Sequence, residues 1–136
     1  MGVAALRQLL LDTHVWLWYV EGSKRLRPRS RKLLEDDSSV CWLSPISLLE
    51  LAALVEKQRV KLASTTGRWL EDALNRFPIS DAAFDRKVGL ELAGRRLPHP
   101  DPADRILVAT AIAYDLELVT ADERLLKLDW LSTVPV

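Results

Sequence analysis

Two aspartates stand three residues apart in HPDPADR (residues 99–105), immediately before the apolar run ILVATAIAYDL. Asp101 followed by Pro102 has the form of a helix N-cap with proline at the first helical position. Asp104 then falls at the third, near the positive end of the helix dipole. Three further acids prompt a second account. Asp12 ends RQLLLDT, Asp122 lies two residues past LELVT, and Glu50 sits among Leu48, Leu49, Leu51, Ala52 and Leu54. A charge in an apolar stripe is costly unless it is paired, hydrogen-bonded or metal-bound. No lysine or arginine lies within one turn of Glu50, and Ser47 shares its helical face.

Taken singly, each acid has a plain structural reading. Asp12 reads as a strand-end turn residue, Glu50 as a solvated helix edge, Asp122 as a cap and Asp104 as a dipole partner. Taken together, carboxylates in one site repel and raise one another's pKa. A divalent cation removes that conflict, and oxygen donors without a Cys or His cluster select Mg2+ or Mn2+ over Zn2+. Such a site suits phosphodiester hydrolysis, with the metal activating water and offsetting charge on the leaving oxygen.

The elements that must position these acids follow from pattern. RQLLLDT (7–13) reads as a buried strand, and HVWLWYVEG as a helix ending near Gly22. RPRSRKLLEDD (27–37) reads as a helix with Pro28 near its start, SVCWLS (39–44) as a strand, and Ser44-Pro45 as the opening of a third helix. TTGRWLEDALNRF (65–77) predicts a helix, FPIS a short edge strand, and SDAAFDRKVGLELAGRR (80–96) a helix carrying Phe84, Val88 and Leu92 on one face. A proline loop, LPHPDP, precedes a helix that is apolar nearly all round and hence buried. LELVT, ADERLLKL and LSTVPV then read as strand, helix and strand. Alternating strands and helices predict one α/β domain over residues 1–136, its mainly parallel sheet covered on both faces.

Composition bounds the function. The chain has 136 residues, 49% hydrophobic and 28% charged, with zero formal net charge, as in ordinary globular proteins. Residues 1–68 carry 11 Lys/Arg against 7 Asp/Glu (+4), and residues 69–136 carry 8 against 12 (−4). That balance is not a strongly basic nucleic-acid binder's, although a local basic patch is compatible with it. One cysteine, Cys41, excludes an internal disulfide and fits a cytoplasmic setting. No signal peptide, myristoylation motif or membrane span is expected.

LLLDTHVWLW, SPISLLELA, LPHPDPADRILVATA and LVTADERL resemble four successive motifs of PIN-domain nucleases, especially VapC-type toxins. The resemblance covers essentially the whole chain, in order and spacing. It implies a three-layer α/β/α fold with an acidic quartet that binds Mg2+ or Mn2+ and cleaves single-stranded RNA. Asp12, Glu50, Asp104 and Asp122 match the quartet; Thr13, Ser47 and Thr120 match polar supporting positions, and Asp101 an accessory acid. The resemblance also implies a toxin with a cognate antitoxin and a homodimer.

KRLRPRSRK (24–32) holds six basic residues in nine and reads either as a solvated face or as a phosphate contact beside the acids. Arg105 reads as orienting a carboxylate or phosphate, or as a plain salt bridge. His14 and His99 read as structural, with His14 near the site's edge. Of Trp16 and Trp18, which cannot share a helical face, one is expected in the core and one at an interface. Cys41 is expected to be buried and inert. An aspartyl-phosphate phosphatase of the haloacid-dehalogenase type would need a second aspartate where His14 stands. A response-regulator receiver would need an acidic pair near the first strand's end. A catalytically silent PIN-like regulatory or protein-binding domain is the non-enzyme alternative. Glu50 opposes it, because capping does not explain an acid in mid-helix.

Overall fold

The structure, a computed structural model, describes residues 6–96, 99 and 101–136. Of the expected proline loop, Leu97, Pro98 and Pro100 lie outside the described residues, as do residues 1–5. The strands are β1 (Arg7–Leu11), β2 (Ser39–Leu43), β3 (Ser80–Asp81), β4 (Glu117–Thr120) and β5 (Thr133–Pro135). They form one sheet in the order β3-β2-β1-β4-β5, with every pairing parallel. The helices are α1 (Thr13–Glu21), α2 (Pro28–Glu35), α3 (Pro45–Glu56), α4 (Thr66–Arg76), α5 (Arg86–Gly94), α6 (Pro102–Ala113) and α7 (Glu123–Leu126).

Consecutive burial of Leu9, Leu10 and Leu11 is what a central parallel strand requires, since both of its faces are covered. Leu9 and Leu11 join Leu43 and Val119 on one face, under Val15, Trp16 and Leu17 of α1, Leu34 of α2 and Leu51 of α3. Leu10 and Leu118 face the other way, onto Leu107, Val108 and Ala111 of α6 and Leu125 of α7. The result is the expected three layers. Each fully buried leucine contributes roughly 1.5–3 kcal/mol before entropy is counted. Among the described residues, no helix is long and apolar enough to cross a membrane.

The chain lays β2 and β3 outward on one side of β1. It then returns through α6 to place β4 on the other side, and β5 beyond that. Strand order therefore reverses between β1 and β4, and ligands of open parallel sheets bind at the carboxyl end of such a switch. Register carries the consequence to single residues. Leu11 pairs with Val119, and Asp12 N–H donates to Val119 O at 3.0 Å. Asp12 and Thr120 thus leave the sheet side by side.

Two predicted boundaries are corrected. Residues 80–85 are not helical. Ser80 and Asp81 pair with Trp42 and Leu43 as the edge strand, later than the FPIS placement, and Ala82 N–H donates to Leu43 O. Asp85 then caps α5, accepting from Val88 N–H at 3.2 Å and from the Tyr114 hydroxyl at 3.1 Å. Val88 is buried as its spacing predicts, while Phe84 lies outside the helix and is exposed. Pairing with the open edge of β2 overrides the fourfold periodicity. Of the two tryptophans of α1, Trp16 is the core residue: it is buried and meets Trp69 edge-on at 5.6 Å, whereas Trp18 is half-buried. Cys41 is half-buried and not fully buried as expected, and burial pushes its thiol up to about 11, away from the reactive thiolate form.

Gly22 ends α1 at φ +66°, in the left-handed region, where a side chain costs about 1 kcal/mol or more. Gly89 sits in mid-α5 with open space where a Cβ would stand. Gly22→Ala is expected to lower the melting temperature by roughly 3–6 °C. Gly89→Ala, relieved of helix-interior glycine entropy, should leave it unchanged or raise it. Thermal unfolding of the two variants checks the pair.

Candidate active site

Asp12 opens α1, yet its side chain does not cap that helix. Its carboxylate instead accepts from the Thr120 hydroxyl at 2.7 Å, across the β1–β4 pair. The Thr120 oxygen in turn accepts from Asp122 N–H at 3.0 Å. One buried hydroxyl therefore ties together two of the sequence-predicted acids. On the other side, the Thr13 and Ser47 hydroxyls are 2.9 Å apart, both buried. The Thr13 hydroxyl also works to lower the Glu50 carboxyl against its burial. All three predicted supporting hydroxyls are thus engaged with the acids or with one another.

Asp101 and Asp122 do the capping that sequence assigns them. Asp101 accepts from Ala103 N–H at 2.8 Å, and Asp122 from Arg124 N–H at 2.8 Å. Asp104, one turn further into α6, caps nothing. Its Oδ2 lies 3.3 Å from His99 Nε2, as does Asp122 Oδ2. Asp12, Glu50, Asp101, Asp104 and Asp122 line one cleft of about 430 Å³ at the carboxyl edge of the sheet. Arg25, His14 and Trp18 form its rim.

Such crowding has an electrostatic signature. Burial raises the Asp12 carboxyl, against the lowering effect of its Thr120 hydrogen bond. Burial likewise raises Glu50. Asp104 is pushed up to about 7, first by burial and then by the charges of Asp12, Asp101, Glu50 and Asp122. Helix-dipole complementation alone would have lowered it. A set of hard oxygen donors, short of positive charge and half-withdrawn from water, fits a divalent cation such as Mg2+ or Mn2+.

Two expectations change. Arg105 does not line the cleft. Its Nε is buried without a hydrogen-bond partner among the described residues, which also show no salt bridge to it. The basic run 24–32 does not act as one patch. Arg25 reaches the acidic cleft, while Arg27, Arg29 and Lys32 turn with Arg7 toward a separate cavity beside β5. Sequence reading passed over two basic residues. Arg59 and Lys61, after α3, join Arg25 in a second hollow that shares His14 and Trp18 with the cleft. Nothing in their local spacing marks them. His99, read as structural, stands 8% exposed between two acids; its nearness to the Asp101 cap was the available signal.

A parallel three-layer α/β domain with carboxylates gathered at its topological switch is the class of protein that fold and cleft define. The PIN domain family model matches residues 9–131, and the chain belongs to that family. It is 34% identical over 124 residues to Ribonuclease VapC22 of Mycobacterium tuberculosis, covering 86% of this chain and 88% of that protein. Among solved structures, its fold resembles VapBC2 from Rickettsia felis bound to a promoter DNA fragment. The two are 20% identical, covering 95% of this chain and 98% of that one, with a TM-score of 0.67. DNA-bound VapBC from Salmonella typhimurium is 18% identical, covering 96% and 98%, with a TM-score of 0.63.

The raised carboxyls predict a pH dependence. A group lifted from 3.8 to about 7 binds its proton more tightly in the folded state. Its stabilisation is complete below the unfolded value and is lost as pH rises through about 7. Metal-free protein should therefore melt at lower temperature near pH 8 than near pH 5, with ~10 mM Mg2+ restoring the loss at pH 8 by mass action. Asp104→Asn should raise the metal-free melting temperature at pH 8 by roughly 3–6 °C and flatten the profile. A variant that melts like the parent at pH 8 would show that the acids do not repel.

Proposed function

We propose that this chain is a metal-dependent endoribonuclease, the toxin half of a toxin–antitoxin pair. The observation that carries the reading is the convergence of Asp12, Glu50, Asp104 and Asp122 on one cleft where strand order reverses. Likeness to a ribonuclease supports it. We read residues 1–136 as a single PIN domain. By analogy with the solved toxin–antitoxin complexes it resembles in fold, one partner would be an antitoxin that covers the cleft; a second copy of the chain is the other we propose.

Asp12, Glu50, Asp104 and Asp122 would hold the ion, with Asp101 as an accessory acid. When bound, Mg2+ or Mn2+ activates water and offsets charge on the leaving oxygen. The chain's own residues do the rest. Thr120 orients the Asp12 carboxylate, and Thr13, bonded to Ser47, would favour the charged form of Glu50. The acids would repel an incoming phosphodiester, and Arg25, Arg59 and Lys61 in the adjoining hollow supply the compensating charge. His14 and Trp18, whose rings are 6.0 Å apart, lie where the two hollows meet and offer faces on which unpaired bases stack.

Two measurements test this. Purified, partner-free protein with Mg2+ or Mn2+ should cleave a mixed single-stranded RNA pool, and chelation should abolish cleavage. Asp12→Asn and Asp104→Asn should each lose about 100-fold or more, the equivalent of roughly 3 kcal/mol of transition-state stabilisation. Undiminished cleavage by both variants, or none by the parent, rejects the nuclease reading and favours a silent binding domain. In the Asp12→Asn background, adding Arg59→Ala should weaken RNA binding and reduce the slope of log affinity against log salt by about 0.7. An unchanged slope would exclude Arg59 from phosphate contact.

A further inference from the structure

His99 is the one buried imidazole among the described residues, and the carboxylate arrangement leaves its role open. Its Nε2 and one oxygen each from Asp104 and Asp122 lie within 4.8 Å of one another, a spacing that a metal could occupy with His99 as third ligand. The opposite edge of the ring argues otherwise. Asp101 N–H donates to Nδ1 at 3.1 Å, so the Nδ1 lone pair is engaged and the ring proton belongs on Nε2. A nitrogen carrying a proton cannot ligate a metal; ligating histidines use one nitrogen's lone pair and donate from the other. Here the nitrogen that faces the acids is the donor. It is in hydrogen-bond contact with Asp122 Oδ2 at 3.3 Å and lies at ion-pair distance, also 3.3 Å, from Asp104 Oδ2, so that one N–H faces two carboxylates.

We propose that His99 is a positioning residue, not a metal ligand: its Nε2–H bridges Asp104 and Asp122 and holds the two carboxylates together for an ion to enter. The two acids come from different elements, α6 and the β4–α7 junction. Among the described side chains, no other makes a hydrogen-bond or ion-pair contact with both acids. The device is self-consistent, because the N–H that fixes the tautomer belongs to Asp101, the N-cap of the helix that carries Asp104. Forming the first turn of α6 therefore sets both the position of Asp104 and the direction in which His99 donates. The proposal rests on the metal-dependent reading above for its purpose.

The test separates the two. Long-range 1H–15N correlation spectra of 15N-labelled wild-type protein report which ring nitrogen bears the proton. In metal-free protein, Nε2 should show a protonated shift and Nδ1 an unprotonated one, and saturating Mg2+ should leave that pattern in place. Loss of the Nε2 proton on adding Mg2+ would make His99 a ligand and overturn the proposal; a protonated Nδ1 in metal-free protein would overturn it as well. Calorimetry with Mn2+ gives the second readout. His99→Ala should weaken binding by about 10-fold or more, as outer-shell substitutions do. His99→Gln, whose amide still donates, should recover most of that loss. Equal affinities in all three proteins would overturn the proposal. If wild-type protein binds neither Mg2+ nor Mn2+, the nuclease reading falls, and the metal-free spectrum still decides the tautomer and the bridge.

Discussion

Leu9, Leu10 and Leu11 of β1 run alongside Glu117, Leu118 and Val119 of β4, and this parallel pairing constrains everything around it. It joins the two hydrophobic cores back to back, because alternate leucines serve opposite faces. It also brings the two strand ends level, so that Asp12 and Thr120 emerge as neighbours. A slip of one residue would exchange the faces of every side chain on the strand. It would also separate Asp12 from the hydroxyl that partners it. Core packing and site geometry are therefore specified by one register.

The cleft that results is electrostatically costly. Five carboxylates line a half-buried hollow, and burial together with mutual repulsion favours the protonated form of Asp104. The surrounding residues lessen the cost without removing it. Thr120 donates to Asp12, and backbone N–H groups donate to Asp101 and Asp122. His99 stands between Asp104 and Asp122, and Arg25 sits at the rim. Holding acids together at such a cost is a common exchange of stability for function. The large, fully buried apolar layers on both sides of the sheet make that exchange tolerable.

Local physics wrote much of this into the sequence. Helix starts at Pro28, Pro45 and Pro102 were legible because proline and its preceding cap act on adjacent residues. The carboxylates were legible because acids at strand ends and in an apolar stripe break the expected pattern. Residues 80–85 misled, because hydrogen bonding to the edge of β2 is a contact with residues nearly forty positions away. Arg59 and Lys61 escaped for the same reason: their relation to Arg25 exists only once α3 has folded back beside α1. The basic run 24–32 looked like one feature, and the turn into α2 divides it between two cavities.

By itself, the sequence determined the alternation of strands and helices, the burial of β1 and α6, the caps, and the odd placement of Asp12, Glu50, Asp104 and Asp122, which the resemblance to PIN-domain nucleases then joined into one quartet. These are matters of period, of capping chemistry and of residues out of keeping with their neighbours, all readable within a few positions. Only the tertiary structure decided which way each acid points. It joined Asp12 to Thr120, set Asp104 against His99, and left Arg105 outside the cleft. Side-chain direction depends on what the other strands and helices present across the sheet edge, and that is fixed by register and crossover, not by any neighbour in the chain.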